Sequence, residues 1–202
     1  MKRILWSRLL FLTMTILLLS GCVTRPLYIT LEVDPSVLEA PREPGAGSVN
    51  IAIPLPADEV GGGGGQIVGS RIKQGTAVWT KENVSEVVTT ALRTGFENRG
   101  YKVVDSDPEV TLQVTTNCSV SYGSAGFWGA PVKAHVTMTA SLVDEVKQED
   151  VWERQFLGSA TQKAVAVDRK GPRQKTLKQA LSEALADLFS DESLTKKLGE
   201  YR

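Results

Sequence analysis

Apolar residues at Val84, Val87, Val88, Ala91, Leu92 and Phe96 recur at three- and four-residue intervals, so the spacing predicts an amphipathic helix with one buried stripe. Thr80 is placed to cap its start, and Gly100 to end it in a left-handed conformation before Tyr101. The same periodicity returns at Leu177, Ala180, Leu181, Ala184, Leu185, Leu188 and Phe189. Pro172 falls near the start of that second helix, where a missing N–H costs little, and Leu194 and Leu198 continue as a short final turn of helix. Between the two helices the period changes to two. Val110, Leu112, Val114, Cys118, Val120 and Tyr122 alternate with Thr111, Gln113, Thr115, Asn117, Ser119 and Ser121. Val132, Ala134, Val136, Met138, Ala140 and Leu142 then alternate with Lys133, His135, Thr137, Thr139 and Ser141. The pair predicts a long antiparallel hairpin with one buried and one wet face. After a charged turn over 144–150, a third strand over 151–161 carries Trp152, Phe156 and Ala160 on one face.

Upstream, Val49, Ile51 and Ile53 predict a strand that Pro54 and Pro56 end. A right-handed crossover through the first helix would lay it parallel to the 110–122 strand. The order strand, helix, three strands, helix gives an α+β fold: a two-layer domain over 48–202, with a mostly antiparallel sheet of about four strands and two amphipathic helices on one face. Residues 22–47 hold Pro26, Pro35, Pro41, Pro44, Gly45 and Gly47 and read as a flexible tether. Within it, alternation of Ile29, Leu31 and Val33 with Tyr28, Thr30 and Glu32 predicts a short edge strand. The five glycines at 61–65 read as a loop, since neither a Gly-Lys-Ser/Thr sequence nor a helix follows to complete a phosphate cradle.

Residues 1–21 have the layout of a signal peptide: Lys2, Arg3 and Arg8, an 11-residue apolar run over 9–19, then small residues. That run is shorter than the roughly 20 apolar residues needed to span a bilayer as a helix. Leu19-Ser20-Gly21-Cys22 resembles the bacterial lipobox, where the signal is cut before a cysteine that becomes acylated. The resemblance implies that Cys22 is the lipid-attachment residue. Several acyl chains, at about 0.8 kcal/mol per buried CH₂, would hold the chain firmly on a membrane. Bacterial lipoproteins retained at the inner membrane commonly carry Asp after the acylated cysteine. Here Val23 follows, so the resemblance favours the outer membrane, with the domain facing the periplasm.

Beyond the lipobox, the helix closing on Arg99-Gly100-Tyr101-Lys102-Val103, the alternating strands and the C-terminal Leu/Ala helix resemble the YajG-type family of bacterial lipoproteins. The likeness spans nearly all of the mature chain. It implies an outer-membrane lipoprotein of undefined activity and brings no catalytic residues to carry over. The five-glycine loop and the Phe127-Trp128 pair depart from that family pattern.

Charge and chemistry narrow the function classes. The chain has 23 basic and 23 acidic residues, and removing the three basic residues of 1–21 leaves 20 against 23 over 181 residues. That slight acidity argues against nucleic acid as a partner. His135 is the only histidine, and it falls on the outward register of a strand, so it reads as a solvated sheet residue. Cys118 falls on the inward register and reads as a small buried hydrophobe. Asp105, Asp107, Asp144, Glu145, Glu149 and Asp150 fall in turns and read as solvated charge. Neither a catalytic triad nor a metal set is written locally, and no cofactor is implied. The expectation is a non-enzymatic lipoprotein that binds or supports another envelope component, either a protein or peptidoglycan. Phe127 and Trp128, at the tip of the long hairpin between small residues, are the candidate partner-binding residues. The polar sheet face is a second surface. One alternative is a carrier holding an apolar ligand between helices and sheet, in a cavity left by Ala91, Ala134, Ala180 and Ala184; a hydrolase is the other.

Overall fold

A computed structural model describes residues 27–56, 67–70, 77–122, 130–164 and 170–201. The strands are β1 (Leu27–Ile29), β2 (Asn50–Ala52), β3 (Ile67–Ser70), β4 (Ala77–Thr80), β5 (Lys102–Val103), β6 (Val110–Tyr122), β7 (Ala130–Asp144) and β8 (Glu149–Ala164). The helices are α1 (Pro35–Leu38), α2 (Val84–Asn98), α3 (Gly171–Phe189) and α4 (Glu192–Gly199), with a 3₁₀ turn at Ala46–Ser48. The main sheet has the order β5-β2-β6-β7-β8. As expected, β2 runs parallel to β6, while β6, β7 and β8 are antiparallel. The sheet has five strands where about four were expected, because the two-residue β5 adds parallel to β2.

The period-two register is upheld. Cys118 pairs with Val136, and Ala134 with both Val120 and Ala160. Val110, Leu112, Val114, Cys118 and Val120 are buried, as are Val132, Ala134, Val136, Met138, Ala140 and Leu142. Thr116 shares that inward face, and its hydroxyl has no hydrogen-bond partner among the described residues. The α3 stripe from Leu177 to Phe189 closes on this face. It comes so near β8 that a Cβ at Gly158 would lie 1.8 Å from the Ala180 carbonyl oxygen. The helix therefore requires glycine at that point of the strand.

The α2 stripe is likewise as expected, with Val84, Val88, Ala91, Leu92 and Phe96 buried. Phe96 meets Phe189 of α3 at 5.6 Å between ring centroids, and Gly95 makes room for the same ring. Gly100 ends the segment at φ 96°. The cap differs from expectation. Asn83 directly precedes Val84, and its side chain accepts from the Ser85 N–H at 2.8 Å. Thr80 closes β4 instead, its hydroxyl donating to the Glu82 carbonyl at 2.8 Å.

Two features go beyond the periodic reading, although the short strand expected over 28–33 is present as β1 (Leu27–Ile29). A second sheet, β1-β4-β3, pairs β1 parallel and β3 antiparallel to β4. Residues 27–47, expected to belong to a tether, are instead stitched to the domain. Ile29, Leu31 and Ala46 are buried, the Leu31 N–H donates to Glu82 at 2.8 Å, and the Asp34 N–H donates to Ser182 at 2.9 Å. The alternation seen at Ile29 and Leu31 supplies the reason, since both side chains gain burial by docking. Residues 1–26, with the signal segment and Cys22, lie outside the described residues, as do Phe127 and Trp128.

Candidate binding surfaces

The reactive side chains are kept apart by the register. His135 is exposed, and the residues directly opposite it on β6 and β8 are Ser119 and Ser159, so no carboxylate faces it across either ladder. Cys118 is buried, and desolvation pushes its thiol up to about 12. A thiol so placed holds its proton at neutral pH and is a poor nucleophile. Among the described residues no group of His, Cys, Asp and Glu is arranged to hold a metal.

Carboxylates are spent on locking the fold, which corrects one expectation. Asp144, read as part of a solvated charge run, is 2% exposed. Its oxygens accept from the Val146 N–H at 3.0 Å, the Lys147 N–H at 2.9 Å and the Tyr201 hydroxyl at 2.8 Å, with Lys147 Nζ at 3.0 Å. Hydrogen bonds from the Lys147 backbone and side chain, then from Tyr201, hold the carboxyl well below its ordinary value. Burial, helped by the Asp144 contact, pushes the Tyr201 phenol up to about 12. The acid thus staples the chain's end to the β7–β8 turn. Glu149, Asp150, Asp105 and Asp107 are exposed as expected.

Asp191 does parallel work at the start of α4. It accepts from the Leu194 N–H at 2.8 Å and from Ser193 Oγ, and it pairs with Arg154 of β8. Burial disfavours its charge, but the bonds from Ser193 and Leu194 and the Arg154 charge outweigh that and keep the carboxyl below its ordinary value. Trp152 completes the corner by donating to Ser193 at 2.9 Å. Arg99 is also inward, its guanidinium 4.0 Å from the centre of the Phe189 ring and bonded to the Gly95 carbonyl at 2.9 Å.

Two kinds of surface remain. The first is the outer face of β6, β7 and β8, a field of Thr, Ser, Asn and Gln with the exposed charges Lys133, Glu153 and Lys163 toward its two ends. Its rows follow from the pairing: Thr115, Thr139 and Gln155 form one, and Asn117, Thr137 and Leu157 the next. Leu157, 64% exposed, is a lone apolar side chain among them. The second is a pair of open grooves along α2 that share Glu86 and Thr90. One, of about 330 Å³, is bounded by Ile53, Leu55 and Arg93; the other, of about 390 Å³, by Val33, Leu38 and Val87. Both are open and run along α2, the first between the helix and the chain that leaves β2 and β5. Ala134, Ala180 and Ala184 are fully buried and Ala91 nearly so. At Ala180 the small side chain serves close approach to Gly158, where the carrier reading needed a cavity.

These features define a two-layer α+β domain in which Asp144 and Asp191 lock corners of the fold and the outer register of β6–β8 is mostly polar. The chain belongs to the family of uncharacterized lipoproteins, which it matches over residues 66–199, in agreement with the YajG-type resemblance. No curated protein matches it by sequence. In three dimensions it is similar to protein XCC0632 from Xanthomonas campestris, at 14% identity and a TM-score of 0.54, covering 86% of this chain and 96% of that one. It is also similar to a neuraminyllactose-binding hemagglutinin homolog from Helicobacter pylori, at 10% identity and a TM-score of 0.54, covering 81% and 96% respectively. A minor lipoprotein from Acinetobacter baumannii aligns at 9% identity with a TM-score of 0.49, over 74% and 95%. At these identities the likeness speaks for the fold alone. Among the described residues no helix is long and apolar enough to cross a membrane.

The periodic reading missed three groups: the Tyr28 and Trp79 pairing between β1 and β4, the burial of Asp144, and the Asp191–Ser193–Trp152 corner. An Asp directly before an apolar helical repeat is a capping signal that could have revealed Asp191.

Proposed function

We propose that this chain is a non-enzymatic accessory of the cell envelope, held by acyl chains on Cys22 to the periplasmic leaflet of the outer membrane. In this reading the signal over 1–21 is cleaved, and the domain presents its polar sheet to an envelope protein or to peptidoglycan, with Phe127 and Trp128, which lie in sequence between β6 and β7, as further candidate contacts. The observation that carries the reading is the outer face of β6–β8. In strands of 13 to 16 residues, β6 exposes Gln113, Thr115, Asn117 and Ser119 and β8 exposes Gln155 and Ser159, with the half-buried Thr137, Thr139 and Ser141 of β7 between them. The middle rows of the face offer hydrogen-bond donors and acceptors, with the charges Lys133, Glu153 and Lys163 set toward its ends, which suits a polar partner laid across it.

Two experiments test the two halves. Cys22→Ser should abolish fatty-acid labelling and leave the signal uncleaved; unchanged labelling would end the anchoring half. A photo-crosslinking residue at Leu157 should give a discrete envelope adduct that one at Val146, on the β7–β8 turn, does not give. Identical patterns from both positions would remove the sheet face as the binding surface.

A further inference from the structure

Anchoring at Cys22 takes on a geometric consequence once residues 27–47 are docked. If the tether ran to residue 47, the domain could stand about 90 Å from its anchor at full extension. The chain is already paired into the fold at Leu27, and Ile29 is fully buried. Only five residue steps separate Leu27 from Cys22, a reach of at most about 18 Å. Whatever the domain turns toward the bilayer must therefore lie near β1.

The face at that point is aromatic. Tyr28 pairs with Trp79 across the parallel β1–β4 ladder, which puts both on one side of the small sheet. Their neighbours Leu27, Ile29, Val78 and Thr80 take the other side, with Ile29, Val78 and Thr80 buried. Tyr28 is 49% exposed, Trp79 is half-buried, and Lys81, two positions beyond Trp79, is exposed. A tyrosine and a tryptophan side by side, flanked by a lysine, combine apolar rings with polar tips and a cation. That chemistry favours the headgroup layer of a membrane over bulk water.

We infer that the Tyr28–Trp79 face of the small sheet lies against the phospholipid headgroup layer, so that the domain is seated on its membrane and not suspended from it. This rests on acylation at Cys22. The test uses the mature acylated protein in phospholipid vesicles, with Tyr28 and Trp79 intact and a fluorophore on Lys81→Cys or, separately, on Val146→Cys. Cys118 is buried and does not compete for the label. Headgroup spin-labelled phospholipid should quench the fluorophore at position 81 and leave that at 146 bright, and Tyr28→Ser with Trp79→Ser should relieve the quenching at 81. Mass spectrometry of the same samples reads the acyl group on Cys22. With Cys22 acylated, an unquenched position 81, equal quenching at both positions, or quenching that survives the loss of both aromatics overturns the seating while leaving the anchor intact. A missing acyl group overturns the anchor, and the seating with it.

Discussion

The two faces of β6–β8 are built from alternate residues of the same strands yet answer to opposite constraints. Gly158 has no room for a methyl group, whereas Leu157 beside it is 64% exposed. Ala134 is fully buried, whereas His135 is exposed. On the inner face each side chain is specified by a helix a few ångströms away. On the outer face composition is free to follow a partner. A search for chemistry in such a domain therefore belongs on the outer register, and stability belongs to the inner one.

The sharpest way to break that contrast is Gly158→Ala. A Cβ 1.8 Å from the Ala180 carbonyl must push α3 off the sheet, an overpacking cost of about 3 kcal/mol or more, read as a melting point lower by roughly 10 °C. Leu157→Ala, one position away, should stay within about 0.5 kcal/mol of the parent. Equal losses at the two positions would mean that the faces are not distinct.

Asp144 extends the contrast to charge. Its folded carboxyl is depressed, so its stabilisation is complete above the unfolded value of about 4 and fades as pH falls toward the folded one. Asp144→Asn should lower the melting temperature at pH 7, and the gap to the parent should shrink as pH drops from about 4 to 2. A gap independent of pH would show that the amide's shape, and not the lost charge, is responsible.

A smaller effect, of opposite sign, is expected at Thr116. Its buried hydroxyl has no partner among the described residues, so Thr116→Val should stabilise by about 1 kcal/mol in thermal unfolding. A loss would reveal a hydrogen bond to that hydroxyl.

The smallest stability effect belongs to Asn117→Ala with Thr137→Ala, paired directly across the outer face. Unfolding should shift by less than about 0.5 kcal/mol, while the envelope adduct formed through Leu157 should weaken. An undiminished adduct would move the partner off these rows.

Periodicity made much of this fold readable because a two-residue or 3.6-residue repeat states which side chains face a core before the core exists. The stripes of α2 and α3, the hairpin of 110–122 with 132–142, the inward Cys118 and the outward His135 all followed from that local rule. Gly100 as a helix terminator followed from backbone sterics, which are equally local.

Other features were decided by contacts between residues far apart in sequence. Asp144 is buried because Tyr201, 57 positions away, folds back to donate to it. Ile29 and Leu31 dock because β4 and Glu82 are there to receive them. The alternation over 28–33 announced a short strand where β1 lies, but β4, of four residues, displays no period of its own, and the two are held as strands by pairing with each other. The same holds for Gly158, whose necessity is set by the passing backbone of α3 and by nothing in its own strand. Local repeats thus determined which faces are buried, and long-range pairing decided how close the layers come and how the segment from Leu27 onward is held to the domain.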